Sequence, residues 1–326
     1  MQTHCFIGSD KNCGKTTAFT HVYEKMHRRG RDLPLCVTTI GINGEGTDRY
    51  GGGAKPEIRL LKGSSFITRG RHLSRHGGKY ETTFFMSGGP FRGSYVMGRC
   101  LMDFPVVLEG PNSGGEVRLM KEKMAKLFPE QGVLLIDGSI DRQFLAHPAI
   151  SDMFYFSVLF SKRRPQRRKS KGLLQSLQID ACADGIRKII TAEQGAATKS
   201  LLFREDGRVL YHSNAIPYCD DGLLRACREV EGRVFLYLNG AFTGSLNDFL
   251  MPFKDLELVL DNFTLYQKIS TSRSDHTNFQ PRITLLHPLR IRGVFVKQEV
   301  DFDRNLLPAG VPVKNLFRCG GGGNEP

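Results

Sequence analysis

Gly8-Ser9-Asp10-Lys11-Asn12-Cys13-Gly14-Lys15-Thr16-Thr17 decides how this chain is read. Ahead of it, Met1 to Ile7 has the composition of a short buried strand. Behind it, Phe19, Val22 and Met26 recur at helical spacing. Strand, loop and helix thus follow in the order a phosphate site needs. In such a loop successive backbone N–H groups face one concavity and the helix N-terminus adds partial positive charge. A lysine at the position of Lys15 reaches the β- and γ-phosphates, and a hydroxyl at the position of Thr16 ligates Mg²⁺. The usual Walker A pattern is G-x-x-x-x-G-K-[ST]. Here Ser9 takes the first glycine position and Gly8 lies one residue earlier. The expected phosphate-binding set is Ser9, Asp10, Lys11, Asn12, Cys13, Gly14, Lys15, Thr16 and Thr17, for ATP with Mg²⁺. No N-K-x-D motif is present to select guanine.

With 326 residues, 40 % hydrophobic and 24 % charged, the chain has ordinary globular composition and length for two domains. No apolar run approaches the roughly 18 residues of a membrane span, and no basic segment leads into a cleavable apolar stretch at the N-terminus. A cytoplasmic protein is expected. The eight cysteines include no C-x-x-C pair and no zinc spacing, so neither a disulfide framework nor a structural zinc is indicated. Cys13, inside the loop, is read as a small residue in place of serine rather than a reactive thiol.

The formal net charge of +13 asks for an anionic partner. Much of the excess is local: Lys162, Arg163, Arg164, Arg167, Arg168, Lys169 and Lys171 lie in one polar segment. No aromatic residues are interleaved for base stacking, so a solvated, partly disordered connector is preferred to a nucleic-acid patch.

Further along, Pro34 to Ile40 reads as a second strand that delivers Asn43, Glu45 and Asp48 to the sheet edge carrying the loop, as candidate switch or substrate residues. Residues from about 54 to 99 alternate in short segments (Glu57 to Leu61, Ser65 to Thr68, Tyr80 to Met86) and read as an inserted antiparallel β element. His72 and His76 within it read as surface residues. Pro105 to Gly110 and Val133 to Gly138 each read as a buried strand ending in an acid, Glu109 and Asp137. Either carboxylate suits Mg²⁺ opposite the loop, with Lys15 and Asp137 the candidate catalytic groups and Asp141 and Arg142 adding charge nearby. The residues alone leave that choice open.

Lys11-Asn12-Cys13-Gly14-Lys15-Thr16-Thr17 is similar to the K-N-S-G-K-T-T loop of the molybdopterin-guanine-dinucleotide biosynthesis P-loop proteins. Leu108-Glu109-Gly110 with Gly114-Gly115 resembles the V-E-G-x-G-G segment of dethiobiotin synthetases. Both belong to the SIMIBI class of P-loop NTPases. That likeness implies a mainly parallel sheet flanked by helices, dimerisation in many members, and metal contact by the acid at Glu109. A narrower resemblance takes in the loop, Thr39 to Glu45, Glu109-Gly110-Pro111-Asn112-Ser113, Ile136 to Arg142 and Tyr237-Leu238-Asn239-Gly240-Ala241. These look like the P-loop subunit of the lysine 5,6-aminomutase reactivating factor. That resemblance implies a MutS-like ATPase partner and ATP-driven reactivation of a cobalamin- and pyridoxal-phosphate-dependent aminomutase. Cys13, Asn43 and the basic insertion after Phe160 depart from that family's pattern.

The expected architecture is α/β. A P-loop domain spans 1–160, a basic linker 161–172, a second α/β region for partner or substrate recognition 173–318, and a disordered tail 319–326. Leu173 to Ile190 reads as helix, and strands are expected at Ser200 to Phe203, Arg208 to Tyr211, Arg233 to Leu238 and Leu256 to Leu260, with a crossover helix from Ala241 to Leu250. The leading functional expectation is an ATP-dependent accessory factor. The alternatives are a kinase or ligase acting on a small carboxylate or hydroxyl substrate, and a nucleic-acid-binding NTPase.

Overall fold

The computed structural model describes residues 1–30, 33–44, 57–87, 93–138, 143–195, 197–216, 220–266 and 282–317. In chain order, β1 (Gln2–Gly8) runs into α1 (Lys15–Arg29), which buries Ala18, Phe19, Val22 and Tyr23 on one face. Then come β2 (Leu35–Thr39), β3 (Ile42–Asn43), β4 (Ile58–Leu60), β5 (Ser65–Arg69), β6 (Tyr80–Met86), β7 (Tyr95–Cys100), β8 (Phe104–Val106) and β9 (Leu108–Glu109). α2 (Gly114–Ala125) opens on a capping box: the Ser113 hydroxyl accepts the Glu116 N–H, while the Glu116 carboxylate accepts the N–H groups of Ser113 and Asn112. β10 (Val133–Asp137), β11 (Met153–Phe160) and α3 (Arg164–Ser176) follow. Next are α4 (Asp184–Glu193), β12 (Ser200–Arg204), β13 (Val209–Ser213), α5 (Asp221–Arg228), β14 (Val234–Leu238), α6 (Gly244–Leu250), β15 (Leu256–Asn262) and β16 (Arg282–His287). β17 (Ile291–Gln298) and β18 (Val313–Lys314) close the chain. Among the described residues no helix is long and apolar enough to cross a membrane.

The chain divides into two compact units, Met1–Leu173 with Arg290–Pro326, and Leu174–Leu289. The first is built on a nine-stranded sheet in the order β18-β17-β11-β1-β10-β2-β5-β7-β6. Every pairing from β18 to β5 is parallel, and only β7 and β6 run antiparallel. Strands covered on both faces need near-continuous apolar sequence, and Cys5-Phe6-Ile7 and Val133 to Ile136 supply it. Phe6, in β1, stacks on Tyr155 with centroids 4.8 Å apart and meets the edge of Phe19 at 5.4 Å. The second unit holds a five-stranded sheet, β13-β12-β14-β15-β16, in which β14, β15 and β16 are parallel and β12 and β13 antiparallel. Its core gathers Ile186, Ile190, Leu201, Phe203, Phe235, Tyr237, Val259 and Leu286.

Several expectations change here. β5, β7 and β6 pair antiparallel as expected, but β5 also pairs parallel with β2, so residues 65–100 extend the main sheet. Pro105 to Gly110 is not a parallel strand. Pro105 has no N–H to donate, and the segment splits into β8 on β4 and β9 on β3, both antiparallel. The basic run is helical from Arg164, and it is anchored at Ser170, which is fully buried and whose hydroxyl donates to the Leu159 carbonyl at 2.7 Å. Arg167 donates to the carbonyls of Ser161 and Lys162 at 3.1 and 2.9 Å. Leu173 to Ile190 is two helices, not one. Residues 290–317 return to the first sheet rather than completing the second unit, since β17 lies parallel to β11 with Val294, Phe295 and Val296 buried. The tail expected to be disordered lies outside the described residues.

Candidate functional site

β1 ends between β11 and β10, and there the chain turns sharply. A Cβ on Gly8 would sit 2.6 Å from the Cys13 sulfur, so the close approach expected one residue later is made by Gly8. That leaves Ser9 free to carry a side chain, and its hydroxyl meets Ser170 Oγ at 2.8 Å. Asn12 (φ 59°) and Gly14 (φ 86°) adopt left-handed conformations that deliver the chain into α1. The helix starts without a side-chain cap and with no acid in its first turn. Its leading N–H groups and partial positive charge therefore face the loop uncompensated by side chains. Asp10 is held by Lys169 at 3.4 Å and accepts the Lys11 N–H at 2.8 Å. Cys13 is buried, and burial pushes its thiol pKa up against the weaker downward pull of neighbouring N–H groups and Lys15. An inert small residue is what that environment makes of it.

β10 lies directly beside β1, with Asp137 level with Phe6. Asp137 is wholly buried. Its Oδ2 accepts the Thr16 hydroxyl at 2.9 Å and the Asn43 amide at 3.1 Å. Asn43 also donates to Thr39 Oγ1 at 2.6 Å, and Thr39 in turn donates to the Asp137 carbonyl at 2.9 Å. The other carboxylate oxygen, Oδ1, is buried without a hydrogen-bond partner. Burial raises the pKa of this acid, while the Lys15 charge and the Thr16 hydrogen bond pull it back. A buried acceptor oxygen with nothing to accept is a costly feature that a cation or a water bound to one would satisfy.

Glu109 has a different setting. It sits on β9, opposite Ile42 of β3, and is 4 % exposed. Arg69 approaches Oε1 at 3.0 Å, while Arg71 and His72 both bind Oε2, the latter at 2.7 Å. Burial alone would raise its pKa; the His72 and Arg71 hydrogen bonds and the Arg69 charge outweigh that and hold it below the usual carboxylate range. A Cβ on the next residue, Gly110, would collide with the Thr39 carbonyl, so only glycine fits where β9 crosses β2.

Thus Lys15, Thr16, Asn43 and Asp137 come together, and Glu109 belongs to a separate cationic cluster. Glu45, Asp48, Asp141 and Arg142 lie outside the described residues. Among the described residues no three His, Cys, Asp or Glu side chains group as a metal-binding set. Sequence reasoning missed Arg69 and Arg71, and His72 is a partner of Glu109 rather than a surface residue. It also missed Lys297 and Phe317. Lys297 donates to the Asn12 carbonyl at 3.2 Å and lies 5.5 Å from the centroid of the Phe317 ring. That ring rests on Gly14 so closely that a Cβ there would collide with it.

No protein-family model, curated protein or solved structure matches this chain.

The loop, its lysine and the Thr16–Asp137 pair can accept a polyphosphate together with a hard divalent cation. Mg²⁺ takes few protein ligands when phosphates supply the rest, so one hydroxyl and one carboxylate suffice for it, and the missing three-residue cluster does not argue against it.

Proposed function

We propose that this protein binds a Mg²⁺-bound nucleoside triphosphate on the Gly8–Thr17 loop, hydrolyses it slowly, and uses the change to act on a partner protein. The observation that carries this reading is the Thr16–Asp137 hydrogen bond beside Lys15, with Asp137 Oδ1 buried and unpartnered. Asp137 thereby serves the metal in preference to Glu109, whose oxygens are already engaged by Arg69, Arg71 and His72. Mg²⁺, when bound, would be held by Thr16 and Asp137 and would supply neutralisation of phosphate charge. Lys15 and the N–H groups of the loop bind and orient the phosphates, and the Thr16 hydroxyl is held by Asp137. Asn43 ties β3 to Asp137, so movement at the metal acid reaches β3 and, across the β3–β9 pair, Glu109. This linkage is what a nucleotide-dependent switch requires.

By resemblance, the partners are a MutS-like ATPase and a cobalamin- and pyridoxal-phosphate-dependent aminomutase, and a homodimer is compatible with the class. The test is Mg-nucleotide turnover by the purified protein, alone and with that partner. Expected are Lys15-dependent binding, slow hydrolysis alone and strong stimulation by the protein partner. Equal nucleotide binding by wild type and Lys15→Ala would overturn the reading. One observation favours a second reading, a kinase or ligase: the two guanidinium groups of Arg69 and Arg71 meet at the single Glu109 carboxylate, an excess of positive charge that suits an anionic substrate. Nucleotide turnover stimulated by a small carboxylate, and not by protein, would select it.

A further inference from the structure

A cavity of about 400 Å³ opens in the first unit between the second half of α1 and the strands β17 and β18. It is separate from the phosphate loop: Lys25, one of its lining residues, stands ten positions beyond Lys15, about 15 Å along the helix axis. Val22, Met26, Leu33, Tyr155 and Phe295 give it an apolar wall. Val22 and Phe295 belong to the main core, and Met26, Leu33 and Tyr155 pack on that core while staying partly open.

The charged part of the lining has one sign. Lys25 and Arg29 come from α1, Arg292 from β17 and Lys314 from β18, and among the described residues no carboxylate joins them. None of the four makes an ion pair with a described residue. Lys25 and Lys314 press on each other: the Lys314 charge, followed by that of Arg29, lowers the Lys25 pKa. Burial and then the same Lys314 and Lys25 charges lower that of His21, leaving a neutral imidazole on the cavity wall. Cations at a helix C-terminus complement its dipole, which accounts for Arg29. The dipole does not account for Arg292 and Lys314, which two separate strands bring to the same place. Like charges that converge without a counter-ion repel, and a bound anion removes that cost.

The combination sets the chemistry of the ligand. An apolar wall buries a tail. Four cations on three elements exceed what a single carboxylate needs and match a phosphate, which offers more oxygens to Arg and Lys donors. The Tyr155 hydroxyl, without a hydrogen-bond partner among the described residues, adds a neutral donor in the field of Arg292. A protein partner fits less well, since a specific interface covers about 800 Å² per side, whereas this cavity lies at the small end of the roughly 300–1,000 Å³ range of small-molecule sites.

We propose that this cavity binds a free phosphomonoester with an apolar tail, Lys25, Arg29, Arg292 and Lys314 taking the phosphate and the wall of Met26, Leu33 and Tyr155 taking the tail. The site goes beyond the nucleotide reading and does not depend on it.

The experiment is titration calorimetry of the full chain with octyl phosphate, kept below its micelle-forming concentration, and with octanol and inorganic phosphate as the two halves of that ligand. Expected is one saturable site that binds octyl phosphate about tenfold or more tightly than either half, the worth of about one charge-assisted hydrogen bond or two buried methylenes. Lys25→Gln/Lys314→Gln should weaken octyl phosphate about tenfold. Its melting temperature should be no lower than that of wild type, because the repulsion is gone. Lys15→Ala, which disarms the loop, should bind octyl phosphate as wild type does. Octyl phosphate bound no more tightly than octanol, or than inorganic phosphate, overturns the proposal. So does affinity that survives the double substitution, a lower melting temperature in that variant, or loss of octyl phosphate in Lys15→Ala, which places the phosphate on the loop. Binding to phosphatidylcholine vesicles that contain phosphatidic acid, without binding of free octyl phosphate, overturns it in favour of a membrane surface.

Discussion

Replacing Asp137 with asparagine should raise the melting temperature of the nucleotide-free protein while weakening Mg²⁺-dependent nucleotide binding. The side chain is wholly buried, and burial is the dominant influence on its pKa, which is raised. An asparagine oxygen in the Oδ2 position keeps the hydrogen bonds from Thr16 and Asn43, and its amino group takes the position of the unpartnered Oδ1. Removing the desolvated charge at constant shape should stabilise the first unit by about 1 kcal/mol, the relief of desolvation outweighing the lost attraction to Lys15. For a unit of this size that is roughly 2–4 °C. The same change removes the negative charge that serves the cation, a loss of about 10–100-fold in metal-dependent affinity. The pH dependence has a defined sign. Because the folded pKa lies above the unfolded value of about 3.9, the contribution of Asp137 is fully present below that value. It is lost as pH rises through the raised folded pKa, and the variant lacks this slope. Scanning fluorimetry across pH and titration calorimetry with and without EDTA measure both effects. A fall of several degrees in the nucleotide-free variant, or unchanged Mg²⁺ dependence, would refute the reasoning.

Glu109→Gln should act in the opposite direction. It leaves Arg69, Arg71 and His72 without their carboxylate and costs about 2 kcal/mol, below the 3–5 typical of a broken buried pair because Arg71 is 60 % exposed and can rehydrate. Since the folded pKa of Glu109 is depressed, its contribution should be present above the unfolded value of about 4.3 and fade as pH falls through the folded one; urea melts of wild type and variant across that window read the difference. Gly110→Ala should destabilise the first unit by about 3 kcal/mol or more, as its Cβ meets backbone at Thr39 instead of a movable side chain, and denaturant melts would show it. Cys13 should react with iodoacetamide far more slowly in the native protein than in urea, which mass spectrometry of the labelled peptide would report.

The loop was legible because its elements are contiguous: an apolar strand, left-handed turn positions and a helix fall within thirty residues. β10 and its terminal acid were equally plain. The choice between Glu109 and Asp137 was not, since both follow four largely apolar residues and differ only in which strand neighbours β1. That pairing joins residues more than 130 positions apart in sequence and has no local signature. The same holds for Arg69, Arg71 and His72, whose common partner lies some 40 residues downstream, and for Phe317, which reaches Gly14 from the other end of the described chain. The basic run misled because its composition is solvated on most of its surface, while a single buried serine anchors the helix.

β17 reaches its place beside β11 only after the 116 residues from Leu174 to Leu289 have intervened. During synthesis, the inserted unit has all of its strands available before the nascent chain supplies the strand that finishes the earlier sheet. The assembly is therefore nested: the inner unit can condense first, and the outer one must wait with its Phe154–Phe160 edge unpaired, a template for wrong strand addition. High sequence separation makes that closure slow. A variant weakened in β17 should consequently show its defect first as a poor yield of folded protein from the ribosome, before any change in the properties of the molecules that do mature.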